Sequence, residues 1–109
     1  MTEQKKKKKI EEKIEELGWF IHKDKDEWEL EQWTPAGEDF IVYINGKSSE
    51  TIFESIRDSY EDFDVDEHVR EVMNIKGAPC ISALVNDAKD IDNMLENLLI
   101  EVNAIWKEK

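Results

Sequence analysis

The chain has 109 residues and a formal net charge of −12 at neutral pH. Its length predicts a single domain, residues 1–109, with a modest hydrophobic core. The negative charge disfavours direct binding to nucleic acid or to an anionic membrane, because both would repel it, and it favours a basic partner.

The single Cys80 excludes an intramolecular disulfide and fits a reducing compartment. No apolar run approaches the roughly 18 residues that a membrane span needs. Lysines near the N-terminus are not followed by the apolar core of a signal peptide, so we expect a cytoplasmic protein.

Residues 2–17 predict the first helix, since Ile10, Ile14 and Leu17 recur at helical spacing and Gly18 follows. Residues 1–9 contain five Lys and one Glu. We interpret them as a partly frayed helix start; a nucleic-acid patch or a localisation tag is the less favoured alternative.

Three short strands are predicted next. The first covers residues 19–22 and the second residues 28–33, with a polar turn at 24–27 between them. The third strand ends at residue 45 and follows a loop at residues 34–39, in which Pro35 and Gly37 favour a turn.

Alternation in the second and third strands assigns side chains to opposite faces. In the second strand, one face is expected to carry Leu30 and Gln32, and the other Glu29, Glu31 and Trp33. In the third strand, one face is expected to carry Phe40, Val42 and Ile44, and the other Ile41 and Tyr43. Trp19 and Trp28 are expected to be core or half-buried residues, in preference to an aromatic binding platform. Trp33 falls on the side of the glutamates, so we expect it to be exposed and to contact a cationic partner.

Two helices are predicted on either side of an acidic stretch, YEDFDVDEHV. The earlier helix is expected to start at Ser48 or Ser49 and to bury Ile52, Phe53, Ile56 and Tyr60. The later helix carries Val65, Val69, Val72 and Met73 on one face and is expected to stop near Gly77 and Pro79. His68 is expected at the surface, and Cys80 is expected to be a small buried apolar side chain.

The acidic stretch also resembles the start of a calcium loop, because Asp62, Asp64 and Asp66 alternate. The sixth and twelfth positions of such a loop require Gly and Glu, but they are Glu67 and Met73 here. A helix N-cap at Asp64, with Glu67 completing a capping box, explains these residues better. No metal or other cofactor is therefore expected.

The last part of the chain predicts a short helix from Ser82 to Ala88, followed by a long amphipathic helix capped by Asp90. The apolar stripe of the long helix consists of Ile91, Met94, Leu95, Leu98, Leu99, Val102, Ile105 and Trp106. Packing on the sheet is favoured for this stripe, and a homodimer seam is the alternative. The predicted fold is α+β: a three-stranded antiparallel meander preceded by one helix and followed by three to four helices packed on it.

The segments TPAGEDF, YEDFDVDEH, the G-A-P turn, LVNDA and the final I-x-x-M-L helix together resemble a group of proteins. These are small uncharacterised acidic proteins of phages and mobile elements in anaerobic, mostly Gram-positive bacteria. The likeness covers roughly residues 17–100 and leaves out the lysine-rich start. It implies an interaction with a host component and assigns no chemistry to individual residues.

Two functions are compatible with these features, and an enzyme is not expected. The first is an acidic protein-interaction module that mimics nucleic acid and inhibits a host nucleic-acid-binding defence protein, similar in composition to anti-restriction and anti-CRISPR proteins. Its expected partner-binding residues are Glu29, Glu31, Trp33, Glu38, Asp39, Glu61, Asp62, Asp64, Asp66 and Glu67. The alternative is a regulatory or structural module whose acidity maintains solubility and which forms a homodimer through the last helix.

Overall fold

A computed structural model describes residues 2–73 and 80–108. The elements in chain order are α1 (Glu3–Glu16), β1 (Phe20–Asp24), β2 (Glu27–Trp33), β3 (Asp39–Asn45), α2 (Ser49–Asp62), α3 (Val65–Met73) and α4 (Ile81–Trp106). The three strands form an antiparallel sheet in the order β1-β2-β3. The predicted α+β meander, with one helix before the sheet and further helices after it, is confirmed. The predicted helix end near Gly77 and Pro79 lies outside the described residues.

Two different turns connect the strands. Asp24 pairs with Glu27, so only two residues separate β1 from β2, and Lys25 adopts a positive φ of 56° there. The β2–β3 loop is longer, as predicted. Its closure uses Thr34, whose N–H donates to the Glu38 carbonyl oxygen (2.8 Å) and whose Oγ1 accepts from the Glu38 N–H (3.0 Å).

The sheet has one buried and one open face. Trp28, Leu30, Val42 and Ile44 point into the core, while Trp33 is 58% exposed on the other side. The alternation predicted for β2 and β3 is confirmed, as is the burial of Trp19 and Trp28. Of the helices, α1 packs beside β1 and α2 packs on β3.

Side chains and backbone groups cap the ends of α1, α2 and α3. Thr2 caps α1, and Ser48 forms a capping box with Thr51 at the start of α2. Asp64 caps α3, because its Oδ1 accepts a hydrogen bond from the Glu67 N–H at 3.2 Å. The predicted N-cap at Asp64 is thus confirmed, and of the two residues predicted for the start of α2, Ser48 and Ser49, Ser48 is the cap.

The lysines of α1 lie within its helical turns and contact distant residues. Lys6 Nζ donates to the carbonyl oxygen of Trp106 at the end of α4 (2.9 Å), and Lys9 pairs with Glu108 (2.7 Å). Positive charge at a helix C-terminus interacts favourably with the helix dipole. These contacts join the first helix to the last.

One continuous α4 replaces the two helices predicted after residue 80. The prediction was wrong because the polar residues between positions 86 and 90 were interpreted as a break. Leu84, Ala88 and Ile91 continue the apolar stripe at i, i+4 and i+7, and all three are buried. No Gly or Pro interrupts the segment, so the backbone hydrogen bonding continues through Asp90.

The apolar stripe of α4 packs inside the chain. Its fully buried members are Ala88, Ile91, Leu95, Leu98 and Val102. The helix contacts α1, α2 and α3, while Ile100 on its opposite side is 55% exposed. Among the described residues, no helix combines the length and hydropathy required to cross a bilayer.

Cys80 differs from its predicted buried position. It is the N-cap residue of α4 and is exposed, with its sulfur 3.4 Å from Ser82 Oγ. Flanking apolar residues suggested burial, but a helix start places this side chain at the surface. Hydrogen bonding to the sulfur, first from Ser82 and then from Ala83, lowers the pKa of the Cys80 thiol.

Candidate interaction surface on the outer face of the sheet

The open side of the sheet, here called the outer face, is a continuous surface of exposed side chains. It is formed by Phe20, His22, Asp24, Glu27, Glu29, Glu31, Trp33, Asp39, Ile41, Tyr43 and Asn45, of which Glu31 and Ile41 are half-buried and the others exposed. The described helices lie against the opposite face, so the outer face has no cover among residues 2–73 and 80–108. A sheet with one solvated face normally presents polar side chains there. Large exposed aromatics are the exception that requires an explanation.

Each of three exposed aromatic side chains stands opposite a carboxylate. Phe20 pairs with Glu31 across β1 and β2. Tyr43 pairs with Glu29, and Trp33 pairs with Asp39, across β2 and β3. Phe20 is 64% exposed, Tyr43 is 69% exposed and Trp33 is 58% exposed. Directly opposed residues have Cβ atoms about 5 Å apart, so each ring and its carboxylate form one local unit.

The outer face carries strong negative charge. Its carboxylates are Asp24, Glu27, Glu29, Glu31 and Asp39, and none of its residues is a Lys or Arg. Its one imidazole, that of His22, has Nε2 3.2 Å from Glu31 Oε1. Partial desolvation and the neighbouring Glu31 carboxyl raise the pKa of Asp39. These neighbouring carboxylates repel one another, so a bound cation would relieve the repulsion.

Four of the ten predicted partner-binding residues share the outer face: Glu29, Glu31, Trp33 and Asp39. The sequence prediction did not include Phe20, Glu27 or Tyr43. Alternation along β3 already separated Tyr43 from the core positions. The position of Phe20 depends on the pairing of β1 with β2, which the sequence pattern did not determine.

A second acidic group lies at the α2–α3 junction. Its predicted members, Glu61, Asp62, Asp64, Asp66 and Glu67, are all exposed. Phe63 in this junction packs edge-on against Phe40 of β3, with the ring centroids 5.8 Å apart. Phe40 belongs to the inner side of the sheet, so the junction and the outer face lie on opposite sides of the sheet. The ten predicted residues therefore do not form one continuous surface.

Glu38 belongs to neither acidic group. It is half-buried, with Oε1 2.8 Å from His68 Nε2 of α3, and it adjoins Asp87 of α4. Burial and the adjacent Asp87 carboxyl raise the pKa of Glu38 to about 7. It lies in a polar cluster where the β2–β3 loop meets α3 and α4, and its role as a partner contact stays a prediction.

The same cluster corrects the expected surface position of His68, whose side chain is only 17% exposed. Asp87 is 6% exposed, and its Oδ1 has no hydrogen-bond partner among the described residues. Within that part of the chain, no three acidic, His or Cys side chains are grouped in a way that could hold a metal ion. No sequence pattern indicated this cluster, because the β2–β3 loop, α3 and α4 each contribute one residue to it.

Comparisons of the chain with protein-family models, with curated proteins and with solved structures found no match.

Proposed function

We propose that this chain is a protein-interaction module that binds a basic protein surface through its outer face. In this proposal it acts as a nucleic-acid mimic and inhibits a nucleic-acid-binding host protein by occupying its basic groove. The observation that carries the proposal is the open outer face, on which five carboxylates surround three exposed aromatic rings.

Charge and aromatic surface contribute to binding in different ways. A field from many carboxylates steers a basic partner toward the surface and accelerates association, which makes binding sensitive to salt. Exposed aromatic side chains supply contact area that becomes desolvated in a complex and often dominates its binding energy. Tyr43 and Trp33 are positioned among carboxylates, so both contributions come from the same surface.

The sheet provides a regular spacing of negative charge. Alternate residues on a strand are about 6.6 Å apart, and neighbouring strands are about 4.8 Å apart. Glu27, Glu29 and Glu31 therefore form a row along β2, with Asp24 and Asp39 on either side of it. The hydrogen-bonded sheet fixes the backbone positions from which these carboxylates project, so no backbone ordering is needed on binding.

The outer face is small for a stable interface. Three strands with a length of up to seven residues span roughly 14 by 23 Å, or about 300 Å². A typical stable complex buries about 800 Å² on each partner. A tight complex therefore needs additional contacts. A partner that also contacts the five exposed acidic residues at the α2–α3 junction must extend around the edge of the sheet, because the junction lies on its opposite side.

The test is a pull-down from a bacterial lysate with the purified chain as bait, washed at about 50 and about 500 mM salt. We expect a basic, nucleic-acid-binding protein that is retained only at low salt. A variant of the chain that combines Glu27→Gln, Glu29→Gln, Glu31→Gln and Asp39→Asn should no longer retain this partner protein. The retained protein should also lose binding to its own nucleic acid when the unmodified chain is added.

A matched control removes the same amount of charge elsewhere. It combines Glu12→Gln, Glu15→Gln, Glu54→Gln and Glu96→Gln, which are exposed helix positions. This control should retain most of the binding. Equal losses of partner binding in both variants would show that the total charge determines binding and that the outer face does not. A partner that the unmodified chain retains at the higher salt would contradict mimicry.

A further inference from the structure

We infer that the three aromatic–carboxylate pairs of the outer face bind guanidinium groups, so that the face selects arginine over lysine. This inference rests on the proposed function and identifies the chemistry of the partner. The pairs are Phe20–Glu31, Tyr43–Glu29 and Trp33–Asp39. A partner recognised in this way carries several arginines on an extended segment.

The chemistry of each pair matches a guanidinium group. A guanidinium is planar, so it can stack on an aromatic ring while it donates two parallel hydrogen bonds to a carboxylate. An ammonium is a compact and strongly hydrated charge, and it cannot make both contacts in one plane. A carboxylate without a neighbouring ring would attract both cations, whereas a ring beside each carboxylate favours arginine.

The same combination occurs within the chain. The Arg57 guanidinium lies over the Phe53 ring, 5.8 Å from the ring centroid. Its Nη2 is also 3.5 Å from an oxygen of Asp58. The outer face also places rings beside carboxylates, across strands and not along a helix. None of its residues is an arginine or a lysine, and the imidazole of His22 contacts Glu31.

The three pairs are arranged at regular levels along β2. Glu29, Glu31 and Trp33 are its successive outward residues, and each belongs to a different pair. Their spacing is about 6.6 Å, which is also the spacing of alternate side chains on any extended strand. An extended segment with arginine at every second position can therefore address all three pairs.

The experiment uses two labelled peptides with blocked termini, GSRSRSRSG and GSKSKSKSG, titrated with the full chain at about 50 mM salt. Both peptides carry the same charge, so a difference in Kd measures the preference between the two cations. We expect the arginine peptide to bind about tenfold more tightly. Fluorescence anisotropy of the label gives both values.

A variant with Phe20→Thr, Trp33→Thr and Tyr43→Thr should lose this preference and retain weak, salt-sensitive binding of both peptides. Threonine suits an exposed strand position, and circular dichroism verifies the fold. The matched control, Met73→Ala with Ile100→Ala, removes other exposed apolar side chains and should retain the preference.

Each remaining outcome has a defined meaning. If both peptides bind equally and the four-carboxylate variant loses both, the inference is overturned while the proposed function stands. If both peptides bind and that variant still binds them normally, the inference and the proposed function both fail. If neither peptide binds, the inference is overturned, and the lysate pull-down decides the proposed function separately.

Discussion

Gly46 packs directly against the indole ring of Trp28, and a Cβ atom at Gly46 would overlap the ring atoms Cε2, Nε1 and Cδ2. Trp28 is 3% exposed and is further fixed by Lys23, whose Nζ lies 4.8 Å from the ring centroid. The ring has little space to move away. Gly46 is therefore required for close packing at the end of β3.

We predict that Gly46→Ala lowers the free energy of unfolding by about 1 to 3 kcal/mol, because the added methyl group overpacks the site. Urea denaturation of the single variant measures this cost. In a Trp28→Phe background the smaller ring should reduce the cost of Gly46→Ala. An equal cost in both backgrounds would show that the indole is not the obstacle.

Glu3 of α1 is expected to stabilise the start of α2. Its Oε1 accepts from the Ser49 N–H at 2.6 Å and its Oε2 accepts from Ser49 Oγ at 2.7 Å. Glu3→Gln should lower stability by about 1 kcal/mol at neutral pH, as the loss of a capping interaction does. Glu12→Gln, at an exposed position of the same helix, should change stability much less.

The contribution of Glu3 should also depend on pH in a defined direction. The hydrogen bonds from Ser49, first from its side chain and then from its backbone, lower the pKa of Glu3. Its stabilisation is therefore present above the unfolded pKa and is lost as the pH falls through the lower folded pKa. The stability difference between the wild type and Glu3→Gln should shrink at acid pH. A constant difference would contradict a charge-dependent contact.

Glu38 is expected to show the opposite pH dependence. Burial and Asp87 raise the pKa of Glu38 to about 7 from 4.5. Between these two pH values the Glu38 carboxyl is protonated in the folded chain and ionised in the unfolded chain. The resulting stability is complete below about pH 4.5 and is lost as the pH rises through about 7. Since Gln resembles the protonated acid, Glu38→Gln should be similar to the wild type at about pH 4 and more stable at about pH 8 by about 1 to 3 kcal/mol.

Thermal denaturation across this pH range tests the prediction for Glu38. The groups that face its carboxyl are His68 of α3 and Asp87 of α4. Glu29→Gln at an exposed strand position serves as the control and should not alter the pH profile in this way. A wild type and Glu38→Gln variant with parallel profiles would show that Glu38 does not titrate near neutrality.

Lys89 tests the continuity of α4. The residue is exposed, and it lies inside the helix at the position where the sequence pattern predicted a break. Lys89→Gly should cost about 1 kcal/mol relative to Lys89→Ala, which is the helix-propensity difference between Gly and Ala. Urea denaturation of both variants measures it. Nearly equal stabilities would indicate that residues near position 89 are not helical.

The sequence predicted local structure better than it predicted which distant residues meet. The faces of β2 and β3 followed from alternation, and the Ser48 and Asp64 caps followed from side chains that bond to nearby backbone. The outer face, in contrast, depends on the register that places Phe20 opposite Glu31. Local patterns contain no information about such a pairing across strands.

The positions of the acidic residues were also hard to predict, because residues that are neighbours in the sequence lie on different surfaces of the structure. Asp39 lies on the outer face, while the adjacent Glu38 turns toward α3 and α4. Glu38 is the last residue of the β2–β3 loop and Asp39 is the first residue of β3, so these adjacent carboxylates divide between two surfaces. The net charge alone could not show this division.

The lysines of α1 have a consequence for the order of folding. Lys6 and Trp106 are 100 positions apart, and Lys9 and Glu108 are 99 positions apart, so these contacts close nearly the whole chain into a loop. Closing a loop of this length costs entropy before the contacts compensate for it. We therefore expect α1 to dock late, onto helices that have already assembled. It should also be the first element to detach, and hydrogen exchange near Ile10 and Ile14 should then be faster than in the middle of α4.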